Sequence, residues 1–515
     1  MRRAVGKIRN TDKKLHSFAL LGNDVQYTIN NHDLPAVLRA LIERKLTIEG
    51  PNGVRILPPR PLRGYLNLSA VFRRKLVKFM PRIQPWTAER VVCQYTGSKR
   101  HRYQQALDEL RSVGFKTYRH THEDLMIKCE AANHTAKPDT PARLICPVHP
   151  VGGLVTAKYI KPIEHHAYRA IDMLFGMQTV CKCLNATMRG QLLRSKWDRF
   201  RYPVAISLDA KKFDQSVSDV LMKNFEFRFY KECYKDNNSR WLLRPDEVRE
   251  MCAVLGQQLK PHGSARCEGR KIDYDIVGMR SSGVMNTSLG NVLCMCMVLY
   301  MLRHRTRIDF EVANDGDDSV VILEKKDYED FVKAVGPFCL IFGFRIEIEN
   351  NADVFERIVF CGSSPVDDGS EWVMVRNVHD CLNKDLVTTK LLNSEHMYNY
   401  YRRAKGLCGK ALANNLPVLG AFYRMMRRGT TESKIKDGDA PCGMDYLARG
   451  MRKRSKVITA RARASFMMAF GICPSVQHLL EEYFNNIELT YCPPKPVYKL
   501  TGDNTLPTRL LGCRS

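Results

Sequence analysis

Six consecutive residues, Asn314-Asp315-Gly316-Asp317-Asp318-Ser319, place three carboxylates within four positions of a turn. The run Ile308 to Ala313 precedes them and the β-branched run Val320-Val321-Ile322-Leu323 follows. Two short strand-like runs joined by a Gly/Asp turn predict a β-hairpin with acids at its tip. Crowded carboxylates repel, and a divalent cation relieves the repulsion because hard ions such as Mg²⁺ prefer carboxylate oxygens. A solvated acidic turn is the plain alternative for this stretch alone. A second acidic site argues against it. The mostly apolar run Val204-Ala205-Ile206-Ser207-Leu208 delivers Asp209 at its end, and Asp214 follows near the start of a predicted helix. Two strands ending in neighbouring carboxylates are able to hold two metal ions about 4 Å apart, as phosphoryl-transfer sites do. Taken singly, Asp214 also reads as an N-cap.

Between the two acidic sites lies Gly278-Met279-Arg280-Ser281-Ser282-Gly283-Val284-Met285-Asn286-Thr287-Ser288-Leu289-Gly290-Asn291. It reads as a small polar loop followed by a long apolar helix from about Thr287 to Leu302. Ser282, Thr287 and Asn291 offer hydroxyl and amide groups, and Thr287 and Asn291 share one helix face. Helix capping accounts for a Ser or Thr there, but not for the whole string.

The ordered set D-x4-D, SG-xxx-T-xxx-N and GDD resembles motifs A, B and C of viral RNA-dependent RNA polymerases. The wording of Asp209-Ala210-Lys211-Lys212-Phe213-Asp214-Gln215-Ser216-Val217 and Met285-Asn286-Thr287-Ser288-Leu289-Gly290-Asn291 is similar to the tombusvirus-like (carmo-like) plus-strand group. The resemblance covers roughly Gln94 to Phe484. It implies an α/β (α+β) right-hand fold with fingers, palm and thumb, and an antiparallel palm sheet flanked by helices. It further implies two Mg²⁺ ions, with Mn²⁺ as a substitute, on Asp209 and Asp317 assisted by Asp318, with Gly316 shaping the turn. Arg143, Lys158 and Lys161 match basic residues that line the nucleotide path; neutralising triphosphate charge would be their task. A solvated surface charge is the alternative for each. Gly283 and Cys361 fall where the group supports template and primer. Two departures stand out: Val284 replaces the usual aspartate after Ser-Gly, and Arg345 is the nearest basic residue where many relatives carry a motif D lysine. Arginine is a poor proton donor at neutral pH, which leaves the general acid unassigned.

The 515 residues carry 81 Lys and Arg against 54 acids, a net charge of +27. Such a surplus suggests a polyanionic partner, and phosphate neutralisation is its natural use; a membrane surface competes for the same charge. The 18 cysteines include no CxxC pair, which fits free thiols in a reducing compartment. Cys181 and Cys183, with His165 and His166, form a weak zinc candidate. No uninterrupted apolar run is long enough to span a bilayer.

Residues 1–93 read as an N-terminal extension packed on fingers and thumb, with a helix from Leu34 to Leu46 and a Pro-rich strap at 57–61. A partner-binding helix is the alternative. Residues 94–200 read as fingers with motif F, including Lys137-Pro138. Residues 201–376 read as palm, with a fingers insertion at about 225–277 that holds a hairpin from Ala265 to Val277 turning near Glu268-Gly269. A helix from Lys326 to Val335 and a strand from Phe342 to Glu349 resemble motif D. Phe360 to Val366 and Trp372 to Arg376 resemble the motif E hairpin. Residues 377–515 read as a mainly helical thumb, with helices at 391–404, 411–426, 460–470 and 476–484, and a loose tail from Tyr491.

The expected reaction is template-directed RNA synthesis from NTPs, replicating a plus-strand genome. The partners implied are RNA template and nascent RNA, NTPs and a viral replication co-factor protein. Contact with the host membrane surface would come through other proteins, at membrane-associated complexes in the host cytoplasm. Asp214 and Asn291 offer groups that hydrogen-bond a 2′-hydroxyl, which favours ribonucleotides over the dNTPs of a reverse transcriptase. A non-catalytic basic RNA-binding protein, the other rival, has no use for acids clustered at strand ends.

Overall fold

The structure is a computed structural model describing residues 14–492, apart from 20, 22–26, 134, 136–138, 414, 432–443, 445–447 and 452–456. The basic start, Lys137-Pro138 and nearly all of the tail therefore lie outside the described residues.

Four antiparallel strands form the central sheet, in the order Phe310–Asn314, Ser319–Glu324, Pro203–Ala210 and Ile346–Ala352. Side chains alternate across a strand, so this sheet feeds two cores. Val204, Ile206, Leu208, Val312, Val321 and Leu323 join a helical core, while Ala205, Ala313, Val320 and Ile322 pack toward Leu193, Trp197 and Phe355. The Thr287–Thr306 helix is apolar around most of its circumference and belongs to the first core. It stops where Arg307 turns left-handed at φ 60°.

Several expected boundaries move, and the helix expected over 411–426 is not continuous: one helix ends at Ala413 and the next begins at Leu419. The Leu34–Leu46 stretch is an α-helix only to Ala40 and then widens into a π-turn from Leu41. Within that turn Lys45 reaches inward to Glu123 at 2.7 Å and Ser281 Oγ at 2.8 Å. The motif D strand begins at Ile346 rather than Phe342. Phe342 and Phe344 alternate like strand residues but are buried on both sides of Gly343, whose φ is 88°. A Cβ on Gly343 would lie 2.7 Å from the Pro59 carbonyl oxygen, so strap and turn meet backbone to side.

The hairpin His262–Cys267 with Arg270–Asp275 turns at Glu268-Gly269, both at positive φ as a two-residue hairpin loop requires. Ser363–Asp367 pairs with Trp372–Arg376. Beyond them the helices Glu395–Ala413, Leu419–Arg427, Ala460–Phe470 and Pro474–Asn486 share a separate core around Phe422, Met426 and Phe484. The N-terminal segment touches both ends of the chain's layout: His16–Ser17 pairs with Val387–Thr388, and Tyr27–Ile29 with Ala131–Asn133. Among the described residues no helix is long and apolar enough to cross a membrane.

Candidate active site

Pairing register brings the acids together. Ser319 lies opposite Leu208, so the next residue on each strand sets Asp209 beside Asp318 at the turn. Asn314, fully buried, braces that turn from within. Its Nδ2 donates to the Gly316 carbonyl at 2.8 Å and to Ser319 Oγ at 2.9 Å, and its Oδ1 accepts the Gly316 N–H at 3.1 Å. Gly316 takes φ 101°, a conformation that a side chain would strain.

The three acids of the turn are not equivalent. Asp315 is neutralised on both oxygens, by Lys182 Nζ and by the Arg189 guanidinium, each at 2.5 Å. Lys182 arrives because residues 179–181 run beside the hairpin: the Asn314 N–H donates to Thr179 O and the Cys181 N–H to Asn314 O, both at 2.8 Å. Asp318 has the opposite surroundings. Burial, then the charge of Asp317 and more weakly those of Asp209 and Asp315, push its pKa up to about 6, against a lowering by the Cys361 thiol. Burial and the charges of Asp315 and Asp318 push the Cys361 thiol up in turn; its Sγ lies 3.7 Å from Asp315 Oδ2.

Asp214 sits in the short Phe213–Ser216 helix, and its Oδ1 accepts from Asn291 Nδ2 at 2.8 Å. Burial raises its pKa, opposed by the hydrogen bonds from Asn291 and Ser282 and by Arg280. Among the described residues Asn291 Oδ1 is buried without a hydrogen-bond partner. A Cβ on Gly316 would lie 3.8 Å from Asn291 Cβ, so the acidic turn and the helix are in contact. Thr287 Oγ1 is turned to the Ser281 carbonyl at 3.1 Å, and Gly283, at φ 103°, passes the Cys146 backbone.

Each of the three basic candidates has an acidic partner of its own. Lys158 pairs with Glu250 at 2.5 Å and Lys161 with Glu164 at 2.6 Å, both from the Pro150–Phe175 helix. Arg143 is exposed, with Glu130 at 3.5 Å. Arg345 donates to the Glu49 carbonyl at 3.1 Å, and Val284 is buried.

Several structural partners escaped the sequence reading. Lys182 and Arg189 are one set. Another is Arg280, wholly buried against Glu226, which also accepts from Asn286 and from Tyr230 at 2.8 Å. Gly290 makes room for that pair: a Cβ there would lie 2.3 Å from Arg280 Nη1. The signal for each was only an unmatched charge inside a quoted motif, with its partner 54 to 133 residues away.

Ligand atoms of Glu109, His120 and His149 also lie within 4.8 Å of one another. Each imidazole, however, accepts a backbone N–H at Nδ1, from Lys116 at 3.0 Å and from Val151 at 3.4 Å. On a neutral His120 ring the proton then sits on Nε2, which meets Glu109 at 3.3 Å, leaving no lone pair there for a metal. Cys181, Cys183, His165 and His166 form no comparable cluster.

The chain belongs to the viral RNA-dependent RNA polymerases. The family's model matches residues 1–491. The RNA-directed RNA polymerase of Tobacco necrosis virus (strain A) is 34% identical over 506 residues, covering 96% of this chain and 67% of that protein. That of Turnip crinkle virus is 33% identical, covering 91% and 59%, and that of Oat chlorotic stunt virus 31% identical, covering 90% and 63%. The chain thus spans about three-fifths to two-thirds of the length of these relatives.

Proposed function

We propose that the chain is the catalytic part of an RNA-directed RNA polymerase that copies a plus-strand RNA genome. The observation that carries the proposal is the unequal treatment of the acids: Asp315 is neutralised by Lys182 and Arg189, whereas Asp318 faces Asp317 and Asp209. An all-oxygen set of this kind fits Mg²⁺ or Mn²⁺. Divalent ions held by Asp209 and Asp317, with Asp318 assisting, would acidify a primer 3′-hydroxyl and neutralise departing pyrophosphate.

The protein's own groups then position. Lys182 and Arg189 hold the acidic turn through Asp315 while leaving Asp317 and Asp318 to the ions. Asn291 orients Asp214, and the pair offers an acceptor and a donor to a ribose 2′-hydroxyl; the partnerless Asn291 Oδ1 supports this reading. Ser282 steadies Asp214, and Thr287 fixes the loop that carries Gly283. Arg143, Lys158 and Lys161 would neutralise triphosphate charge along the nucleotide path. In this reading the four-stranded sheet is the palm, residues 94–200 and the 225–277 insertion the fingers, and the helices after 377 the thumb. Residues 1–93 strap fingers to thumb. A viral co-factor protein and membrane-associated complexes in the host cytoplasm complete the setting we propose.

The test is incorporation of labelled nucleotide on a primed homopolymer template, with and without Mg²⁺. Metal-dependent use of the complementary NTP, and little use of the matching dNTP, is expected. Efficient dNTP use would favour a reverse transcriptase, and template binding without incorporation a non-catalytic RNA-binding protein.

A further inference from the structure

Far from the acidic turn, a groove of about 1150 Å³ opens between the Leu66–Lys78 helix and residues 223–242. Arg74, Lys78, Arg82, Lys223, Arg228 and Lys231 line it. Two acids share the lining, and both are already engaged. Glu232 binds the buried Arg73 at 2.9 Å, with Arg228 at 3.9 Å. Asp236 accepts the N–H groups of Asn238 at 2.9 Å and Arg240 at 2.8 Å. Arg74, Lys78, Arg82, Lys223 and Lys231 make no ion pair among the described residues, and all but Lys231 are exposed. Like charges gathered without counter-charges cost free energy unless an anion joins them.

The groove's position separates it from catalysis. Its helix packs through Phe72 on Tyr300, while the acidic turn touches the same long helix at Asn291. Those contacts lie about 13 Å apart along the axis at roughly 1.5 Å per residue. Lys75 donates to the Tyr300 hydroxyl at 3.0 Å, and Tyr300 also lines a second recess of about 420 Å³ with Arg303, His304, Arg307 and Asp309, where Arg303 pairs with Asp309 at 2.5 Å.

We propose that this groove binds the phosphodiester backbone of an RNA segment held outside the catalytic channel. No aromatic side chain lines it, so bases have nothing to stack on, and its cations are suited to phosphates rather than base edges. Recognition is therefore by charge and shape, without sequence preference, and would tether a template whose reacting end lies elsewhere. The inference rests on the reading of the chain as an RNA-copying enzyme, but its test is separate.

The variant is Arg74→Gln, Lys78→Gln, Arg82→Gln and Lys223→Gln together, all exposed positions. Its charge-matched control changes the exposed Lys116, Lys326, Lys333 and Lys410 to Gln. Binding of a long RNA is measured across salt concentrations, alongside incorporation on a short primed homopolymer. For the groove variant the slope of log K against log salt is expected to fall by roughly 2–3, as loss of about four phosphate contacts requires. The control should stay near wild type, and homopolymer incorporation should be unchanged. An unchanged slope, or an equal fall in the control, overturns the proposal. So does loss of short-template incorporation, which would put the groove in the catalytic channel. Loss of flotation with phosphatidylserine vesicles at an unchanged RNA slope would assign the groove to a lipid surface instead. If wild type incorporates nothing, the functional reading fails while the salt slopes still decide the groove.

Discussion

Two clusters of charge touch the first turns of the Thr287–Thr306 helix. Beside Gly290, Glu226 meets Arg280, Asn286 and Tyr230, so every charge has a partner of opposite sign or a donor. Beside Asn291, Asp318 meets Asp317 and Asp209, acids facing acids. Burying a charge is costly unless it is paired, so the first cluster serves to fix the loop before the helix, although Arg280 Nε and Asn286 Oδ1 have no hydrogen-bond partner among the described residues. The second gathers like charges, and under the function proposed above a divalent cation would offset them, whereas Asp315 is held by Lys182 and Arg189.

The comparison breaks most sharply in activity. Asp317→Ala should lower incorporation by at least about 10³-fold, the scale of losing a principal electrostatic stabiliser, while RNA binding survives on the basic surface. Asp209→Ala should behave alike, and the double variant should be little worse than either single one, because both carboxylates serve one cluster. Near-wild-type incorporation by the Asp317 variant would remove the metal assignment.

Stability should respond at the other cluster. Glu226→Ala leaves Arg280 buried and unpaired, and should cost about 3–5 kcal/mol of stability. Thermal melting would register it as a lowered Tm, whereas Asp317→Ala should leave Tm unchanged or raised. A Glu226 variant that melts like wild type would mean that the pair is not structural.

How far the sequence could see follows the same division. The acidic hairpin, the Glu268-Gly269 turn and the long apolar helix were legible because their determinants are local: alternation, turn chemistry and unbroken apolar spacing. Asp209, Asp317, Asp318, Asp214 and Asn291 were legible as candidates because motif order carried them. Partners distant in sequence were not. Lys182 lay inside a stretch read as a weak zinc candidate, and its ion pair with Asp315 spans 133 residues. Lys158 showed only its charge, and nothing local announced Glu250 as a partner, whereas Glu164 lies three residues from Lys161. The contact of Lys45 in the π-turn with Glu123 is likewise tertiary, beyond what helical periodicity registers.

A smaller effect sharpens the sugar reading. Asn291→Ala should reduce the ratio of kcat/KM for ATP over dATP by roughly tenfold, about the worth of one hydrogen bond, chiefly by slowing ATP use. An unchanged ratio with a lowered Tm would make Asn291 a packing residue that merely holds Asp214.

The proposed function requires Asp318 and its neighbours to bind a divalent cation. The Asp318 carboxyl lies at about 6 in the folded chain against an ordinary value of 3.8. The folded state therefore holds this proton more tightly than the unfolded chain, and metal-free stability from this group declines as pH rises from 3.8 toward 6. Cation binding needs the ionised form, so it should strengthen over the same rise. The decisive measurement is Mn²⁺ binding by calorimetry at pH 5 and pH 8 on wild type and Asp318→Asn. We expect binding at pH 8 that weakens strongly at pH 5 in wild type, and weak binding at both values in the variant. Equal affinity in the two proteins at pH 8 would contradict the account.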